Sequence, residues 1–222
     1  MNGGILIVAA HPDDETLGAG GTLLAAAHRG THVHWLIATA KTEALGFSPQ
    51  SVADRESEIA NVATEFGFAS VHQLELPTTR LDTLPKADII TAIAAVVDSV
   101  APETVILPHG GDAHSDHGVL FGCGLAATKS FRHPSVRTVL TMDVVSETNF
   151  GIPGSFIPRF YVDISEFIDK KLAIMDHYRG EMGTHPFPRS RESLRALATL
   201  RGSECGSLYA EAFDIVRMVG SP

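Results

Sequence analysis

Short apolar runs alternate with amphipathic segments four times along the first 130 residues of the chain. The apolar runs are rich in Val, Ile and Leu, which is typical of strands buried on both faces of a sheet. They cover residues 5–10, 32–39, 71–76 and 104–107. The segments with helical spacing cover residues 14–28, 52–66, 87–100 and about 117–129. This alternation predicts a parallel sheet covered by helices.

After residue 137 the pattern loosens. Two more strands are predicted over residues 139–145 and 159–164, and two more helices over 166–178 and 192–200. No repeat or long linker divides the chain. We therefore predict an α/β fold made of a single domain over residues 1–222, with a Rossmann-like, mostly parallel sheet and helices on both faces. The C-terminal third, from about residue 137, is expected to be the variable and substrate-specific part.

Charge and composition narrow the range of partners and compartments. The net charge is −9 and no cluster of Lys and Arg occurs, which argues against nucleic acid or an anionic membrane as partner. No apolar stretch reaches the roughly 18 residues of a membrane span, and the apolar run near the N-terminus lacks the basic region of a signal peptide. Cys123 and Cys205 form no CxxC pair, so we expect two structural thiols, no disulfide and a cytoplasmic location.

Three adjacent carboxylates follow the first predicted strand, in His11-Pro12-Asp13-Asp14-Glu15. A helix dipole offsets only about 0.3–1 kcal/mol per exposed charge, which is little for so dense a cluster. A divalent cation offsets it better, and Pro12 fixes a turn from which His11 and Asp14 can converge. The alternative is a helix N-cap, in which Asp13 or Asp14 accepts backbone amides. This segment alone leaves both interpretations open.

A second polar cluster follows the fourth predicted strand, in the loop 108–117. It contains His109, Asp112, His114, Asp116 and His117. In an open α/β sheet, ligands bind beyond the carboxyl ends of the strands, where both clusters are predicted to lie. A capping role for one residue of this loop would explain a single polar side chain, but two clusters at equivalent strand ends favour a shared metal site. Imidazole and carboxylate ligands suit zinc, and a catalytic zinc keeps one position for water.

Together the two segments resemble the PIG-L/LmbE-like family of zinc-dependent N-deacetylases. The family's hallmark is an (A/P)HPDDE motif that is answered later by HxxH, and here these motifs occupy residues 10–15 and 114–117. The resemblance covers roughly the first 130 residues. It implies that His11, Asp14 and His117 bind zinc, with another divalent metal as the alternative.

The resemblance also implies roles for residues that do not bind the metal. Asp13 is expected to act as the general base, and His114 to stabilise the oxyanion. Asp116 is expected to orient His114 and keep it protonated. Arg55 and Asp82 match, more loosely, positions that hold substrate hydroxyls in relatives. Arg55 could instead pair with a glutamate on its own helix.

The expected reaction is hydrolysis of an N-acetyl or other acyl group from an amino sugar or an amino-sugar glycoside, through a zinc-bound water. The expected partner is thus a small N-acylated sugar, and the sequence leaves the oligomeric state open, a homo-oligomer included. The loops 146–151 and 185–189 could rim the pocket, although plain surface loops are the simpler interpretation.

Three other functions share some of these features. A magnesium-dependent phosphotransfer module also has paired acids after the first strand of a doubly wound sheet, but it needs no HxxH. A non-catalytic sugar- or metal-binding protein would keep the metal ligands but would not need Asp13. A dinucleotide-binding domain is disfavoured because Gly18, Gly20 and Gly21 lie inside the predicted helix and lack GxGxxG spacing.

Overall fold

The four runs of the sequence form adjacent strands of a seven-stranded sheet, three of them inside it and the third run at its edge. The structure is a computed structural model and describes residues 3–220. The strands are β1 (Ile5–Ala9), β2 (Val33–Ala40), β3 (Ser70–Pro77), β4 (Thr104–Pro108), β5 (Thr138–Met142), β6 (Phe160–Asp163) and β7 (Ala210–Met218). Their order is β3-β2-β1-β4-β5-β7-β6. The first five strands run parallel, whereas β7 is antiparallel to both β5 and β6.

Helices cover both faces of this sheet, as the sequence predicts. They are α1 (Asp14–His28), α2 (Pro49–Phe66), α3 (Lys86–Val100), α4 (Ser115–Ala127), α5 (Ile168–Met175) and α6 (Arg191–Cys205). Because side chains alternate along a strand, Ile5 and Ile7 pack towards α1, α2, α5 and α6. Leu6 and Val8 pack towards α3 and α4 on the other face. None of the helices in residues 3–220 is both long and apolar enough to cross a membrane.

The position of β1 sets the position of the candidate site. β1 is completely buried and pairs in parallel with β2 on one side and β4 on the other. From β1 the chain proceeds to β2 and β3 at one edge, and β4 and β5 then continue the sheet in the opposite direction. The carboxyl ends of β1 and β4 are therefore neighbours at the point where the strand order reverses, which is where open α/β sheets bind ligands.

The C-terminal strand β7 is absent from the sequence-based expectation. Its pattern is masked by Glu211, a charged residue that is only 5% exposed and points towards α1. Its two carboxylate oxygens accept the backbone amides of Gly21 and Thr22 at 2.9 and 2.7 Å. Lys171 donates to Glu211 at 2.7 Å and to the carbonyl of Leu17 at 2.8 Å. This buried ion pair links α5 and β7 to the backbone of α1.

Replacing Lys171 by Met is expected to lower the free energy of unfolding by about 3–5 kcal/mol, because the Glu211 carboxylate would stay buried without its cation. The adjacent Lys170 is the matched control, since its side chain is 50% exposed and pairs with Glu65 at the surface. Lys170→Met should change stability by less than about 1 kcal/mol. Urea denaturation of both variants measures the difference, and equal effects would contradict a structural role for the buried pair.

Candidate active site

A cavity of about 220 Å³ opens at the carboxyl ends of the parallel strands. Six of the eight site residues predicted from the sequence line it: His11, Asp13, Asp14, Arg55, His114 and His117. The other two do not. Asp116 is fully buried behind the histidines, and Asp82 lies on an exposed turn outside the lining. The two loops that follow β1 and β4 therefore meet at one place, as the sequence predicts.

His117 directs a buried ring nitrogen that has no hydrogen-bond partner within residues 3–220 into this meeting point. Its Nδ1 lies 2.8 Å from Oδ2 of Asp112, whose side chain is fully buried. A carboxylate only accepts hydrogen bonds, so Nδ1 carries the proton and Nε2 of a neutral ring carries the lone pair. That Nε2 is buried, has no hydrogen-bond partner among residues 3–220, and lies 3.4 Å from Oδ1 of Asp14. A lone pair facing a carboxylate in a buried site is the arrangement that a cation resolves.

His11 repeats this arrangement with a different aspartate. Its Nε2 lies 3.1 Å from Oδ2 of the buried Asp116, so its other nitrogen, Nδ1, faces Oδ2 of Asp14 at 3.8 Å. One ligand atom each from His11, Asp14 and His117 lie within 4.8 Å of one another. Two imidazoles anchored by buried carboxylates and a third ligand from Asp14 are the donor set and outer shell of a divalent metal site. The residues present thus fit a divalent cation.

The electrostatics of these groups agree with their geometry. Burial alone would raise the pKa of Asp14, but the nearby rings of His117 and His11 outweigh burial and lower the pKa. Burial alone would lower the pKa of His117, but Asp14 and Asp112 outweigh it and raise the pKa well above its ordinary value. Both shifts have the same origin, because the carboxylates around the two rings attract positive charge to the point between them.

His114 differs from the other two histidines and corrects one prediction. Its Nδ1 accepts the backbone N–H of Asp116 at 3.1 Å, so Nδ1 is unprotonated and Nε2 carries the hydrogen. Burial, together with His11 and His117, also lowers the pKa of His114. The prediction that Asp116 keeps His114 protonated is therefore wrong, because the Asp116 carboxylate binds His11 instead. His114 presents a neutral N–H donor to the cavity.

The same contacts exclude a second grouping as a metal site. His11, His114 and Asp116 also bring ligand atoms within 4.8 Å of one another. However, the Asp116 carboxylate already accepts His11 and the backbone amides of Thr79 and Leu81, at 2.7 and 3.1 Å. The Asp116 carboxylate is thus fully used by the His11 ring and two backbone amides, and it serves as a hydrogen-bonded anchor for His11.

Asp13 stands beside the candidate ligands without joining them. Its backbone has φ 141°, a strained value for a residue other than glycine, and its N–H donates to Oε2 of Glu15 at 3.1 Å. Oδ2 of Asp13 accepts Nη1 of Arg189 at 2.8 Å. Burial and the neighbouring Asp14 raise the pKa of Asp13 well above its ordinary value, and burial raises the pKa of Glu15 to about 7. The side chain of Asp13 makes no helix-capping bond, which disfavours the N-cap interpretation for this residue.

The two looser substrate-contact predictions have different outcomes. Arg55 lines the cavity, but it is also bound on three sides: it donates to the carbonyl of Pro12 at 2.7 Å and to Glu181 at 2.6 Å, and lies 3.3 Å from Glu58. Asp82 is exposed, and no contact brings it to the cavity within residues 3–220. The reason is local, because the short helix Leu81–Thr83 turns its buried side and the Leu81 amide towards Asp116.

Several residues of the site were missed by the sequence analysis. Asp112 belongs to the second polar cluster, but its spacing of five from His117 gave it no role there. Glu181 and Arg189 come from the C-terminal third and have no local motif. The interpretation of the later loops as plain surface loops is wrong, since Ser146, Glu147 and Arg189 all line the cavity.

Comparison with known proteins adds information that geometry cannot. Residues 6–128 match the sequence profile of the family described as PIG-L: GlcNAc-PI de-N-acetylase. The diacetylchitobiose deacetylase of Thermococcus kodakarensis is 24% identical, over 96% of this chain and 82% of its own length. The solved structure of a conserved protein from Thermus thermophilus has a TM-score of 0.78 at 26% identity, over 98% of this chain and 97% of its own.

A second solved structure shows that a similar fold also occurs in an enzyme with a different reaction. The 4-carboxy-2-hydroxymuconate hydratase of Pseudomonas putida also has a TM-score of 0.78, at 19% identity, over 100% of this chain and 99% of its own. At this identity the likeness concerns the fold. Since one fold supports several reactions, the chemistry must be argued from the site and the family.

Proposed function

This chain belongs to the PIG-L family of de-N-acetylases, and from this premise we propose that it is a metal-dependent hydrolase of amino-sugar amides. The reaction would remove an N-acetyl or other acyl group from an amino sugar or an amino-sugar glycoside. One observation carries the proposal: ring nitrogens of His11 and His117 converge on Asp14 in an open cavity, with the carboxylate of Asp13 beside them.

The proposed metal ligands are His11, Asp14 and His117, with Asp116 and Asp112 as the carboxylates that orient the two rings. Two imidazoles and one carboxylate favour zinc over magnesium or calcium, which prefer oxygen ligands. When bound, such a cation acts as a Lewis acid that lowers the pKa of water and polarises an acyl carbonyl.

Asp13 and His114 supply the proton transfer and charge stabilisation that amide hydrolysis also needs. Asp13 lines the cavity and would take a proton from the attacking water, then return it to the amine nitrogen as the C–N bond breaks. His114 would donate its Nε2–H to the acyl oxygen as negative charge develops there, a contact commonly worth about 2.7–4 kcal/mol. Because His114 is neutral, it acts as a hydrogen-bond donor and adds no positive charge next to the proposed metal ligands.

The lining of the cavity supports a sugar-sized substrate. Arg55 is the proposed contact to a substrate hydroxyl, since it reaches the lining while its charge is balanced by Glu181 and Glu58. Phe47 and Leu17 add apolar surface to the same cavity. A sugar presents hydroxyls and an apolar face, so this mixture suits it. Asp82 is left out of the proposal, because its side chain is exposed outside the lining.

A deacetylation screen with controlled metal content tests the proposal. The purified protein is offered N-acetylglucosamine, diacetylchitobiose and N-acetylglucosaminides, and free amine is measured before chelation, after chelation and after return of zinc. We expect amine release that falls by at least about 100-fold on chelation, since the cation supplies several kcal/mol of barrier lowering.

The outcomes separate the proposal from its rivals. Amine release that chelation leaves unchanged would contradict metal dependence. Binding of a sugar without any amine release would favour a non-catalytic binding protein. Conversion of an unsaturated carboxylate, included in the panel as a hydratase substrate, with no amine release would show that the chain shares only the fold of the family's hydrolases.

A further inference from the structure

Arg189 closes a ring of contacts around the loop that follows β1. Its Nη1 donates to Oδ2 of Asp13 at 2.8 Å and to Oε2 of Glu181 at 3.1 Å. The other oxygen of Glu181 accepts Nη2 of Arg55 at 2.6 Å, and Nη1 of Arg55 donates to the carbonyl of Pro12 at 2.7 Å. We call this set the arginine ring. The arginine ring begins at Asp13 and ends at the adjacent Pro12, and two of its side chains, Glu181 and Arg189, come from the C-terminal third.

The charges of the arginine ring and its immediate neighbours balance one another. Two guanidinium groups, Arg55 and Arg189, face two carboxylates, Asp13 and Glu181, and the two charges at the margin of the ring, Glu58 beside Arg55 and Lys41 beside Glu181, also offset each other. A cation reserved for an anionic substrate would be expected to stand without such partners in the free protein. The balance therefore argues that Arg189 serves the carboxylates next to it and not a negative group on the substrate.

The contact from Arg189 distinguishes the two oxygens of Asp13. Oδ2 accepts the guanidinium, whereas Oδ1 accepts no hydrogen bond within the described residues 3–220, although Asp13 lines the cavity. A carboxylate that is held only through its own backbone can rotate among rotamers. A guanidinium on one oxygen limits that rotation and leaves the other oxygen available to the cavity.

We propose that Arg189 is a positioning residue: it holds Oδ2 of Asp13 so that Oδ1 faces the attacking water. The inference rests on the proposed function, in which Asp13 is the general base, and it assigns to the C-terminal third a part in proton transfer. Glu181 and Arg55 complete the device, because they fix Arg189 and the Pro12 carbonyl to the same frame.

The test compares Arg189→Met with Arg191→Met, both assayed on the substrate that the wild-type protein deacetylates fastest. Arg191 is the matched control because it pairs with Asp176 outside the cavity. For Arg189→Met we expect kcat to fall about 10- to 100-fold, as for a misplaced catalytic group, with KM within about threefold of wild type. Metal content and melting temperature should stay near the wild-type values, and Arg191→Met should change neither kinetic constant.

Two further variants keep the inference falsifiable if the Met variant folds poorly. Arg189→Lys retains a donor and should recover part of kcat. Arg189→Ala should be rescued by added guanidinium chloride at millimolar concentration, because the Arg189 side chain is 21% exposed at the open cavity. A merely structural arginine would lower the melting temperature or the metal content and would show no such rescue of kcat.

Three results would overturn the inference. The first is an unchanged kcat in Arg189→Met, and the second is a rise in KM with kcat retained, which would assign Arg189 to substrate binding. Both presuppose an active wild-type protein and leave the proposed function standing. The third is a wild-type protein that releases no amine from any substrate, which removes the proposed function and this inference together.

Discussion

Replacing His117 by Ala is expected to abolish metal binding and turnover together. Nε2 of His117 is one of three converging ligand atoms, and a site left with His11 and Asp14 alone would hold a divalent cation weakly. Metal analysis of the purified variant, alongside the amine-release assay, measures both losses on one sample. A wild-type metal content in His117→Ala would show that His117 is not a ligand.

Two further variants distinguish loss of a metal ligand from a general folding defect. His32→Ala is the matched control, because His32 is exposed at the opposite end of the sheet, just before β2, and should leave metal content unchanged. Asp112→Asn keeps the imidazole but removes the carboxylate that anchors it at 2.8 Å. For such outer-shell changes, metal affinity typically falls about 10- to 100-fold. A graded loss across the series would assign the effect to coordination, whereas equal losses in all three would indicate a general folding defect.

The parallel half of the fold could be predicted because its residues follow simple periodicities. The predicted helix over residues 14–28 coincides with α1, and the first four predicted strands differ from the observed ones by one residue at one or both ends. β1, β2 and β4 are buried between two layers of helices, so their residues are mostly apolar, whereas β3 lies at the edge of the sheet and is only partly buried. Each of the first three helices begins or ends near a Gly or a Pro, as with Pro49 and the left-handed Gly67 that bound α2.

The C-terminal strand β7 could not be predicted in the same way. β7 carries Glu211 on the side that faces α1, where a buried strand is expected to be apolar. The partner that makes this acceptable is Lys171, forty residues away on α5, and both residues also bind the α1 backbone. No local periodicity contains that information, so the pairing of β7 with β5 and β6 emerges only in the folded chain.

For the candidate site too, the positions of the loops could be predicted from the sequence, but the side-chain contacts could not. Its two loops come together because they follow adjacent strands, which the alternation of elements already implied. The direction of each side chain decides which carboxylate binds which imidazole ring, and sequence spacing gave the wrong partner for Asp116. Asp116, two residues from His114, binds His11 across the site, and Asp112, to which the sequence assigned no role, binds His117. Arg189 reaches the loop from 176 residues away, which no motif records.

Replacing Asp13 by Asn is expected to leave the metal in place and to lower kcat by about 100- to 10,000-fold, the usual contribution of a general base. Asn has nearly the shape of Asp, and its amide oxygen can still accept Nη1 of Arg189, so the arginine ring and the strained backbone are retained. What it lacks is the basic oxygen. Metal analysis and amine release measure the two properties separately, and Asp54→Asn, an exposed change on α2, serves as the control.

The combination of results in Asp13→Asn distinguishes an enzyme from a binding protein with the same ligands. A non-catalytic metal or sugar binder would have no reason to keep a buried, strained Asp13 paired with a guanidinium, because that arrangement costs stability and contributes nothing to coordination. If Asp13→Asn turned over normally, the proton would have to move through another group of the cavity. Loss of turnover with full metal content would instead show that the two aspartates have different roles, in which Asp14 binds the cation and Asp13 transfers the proton.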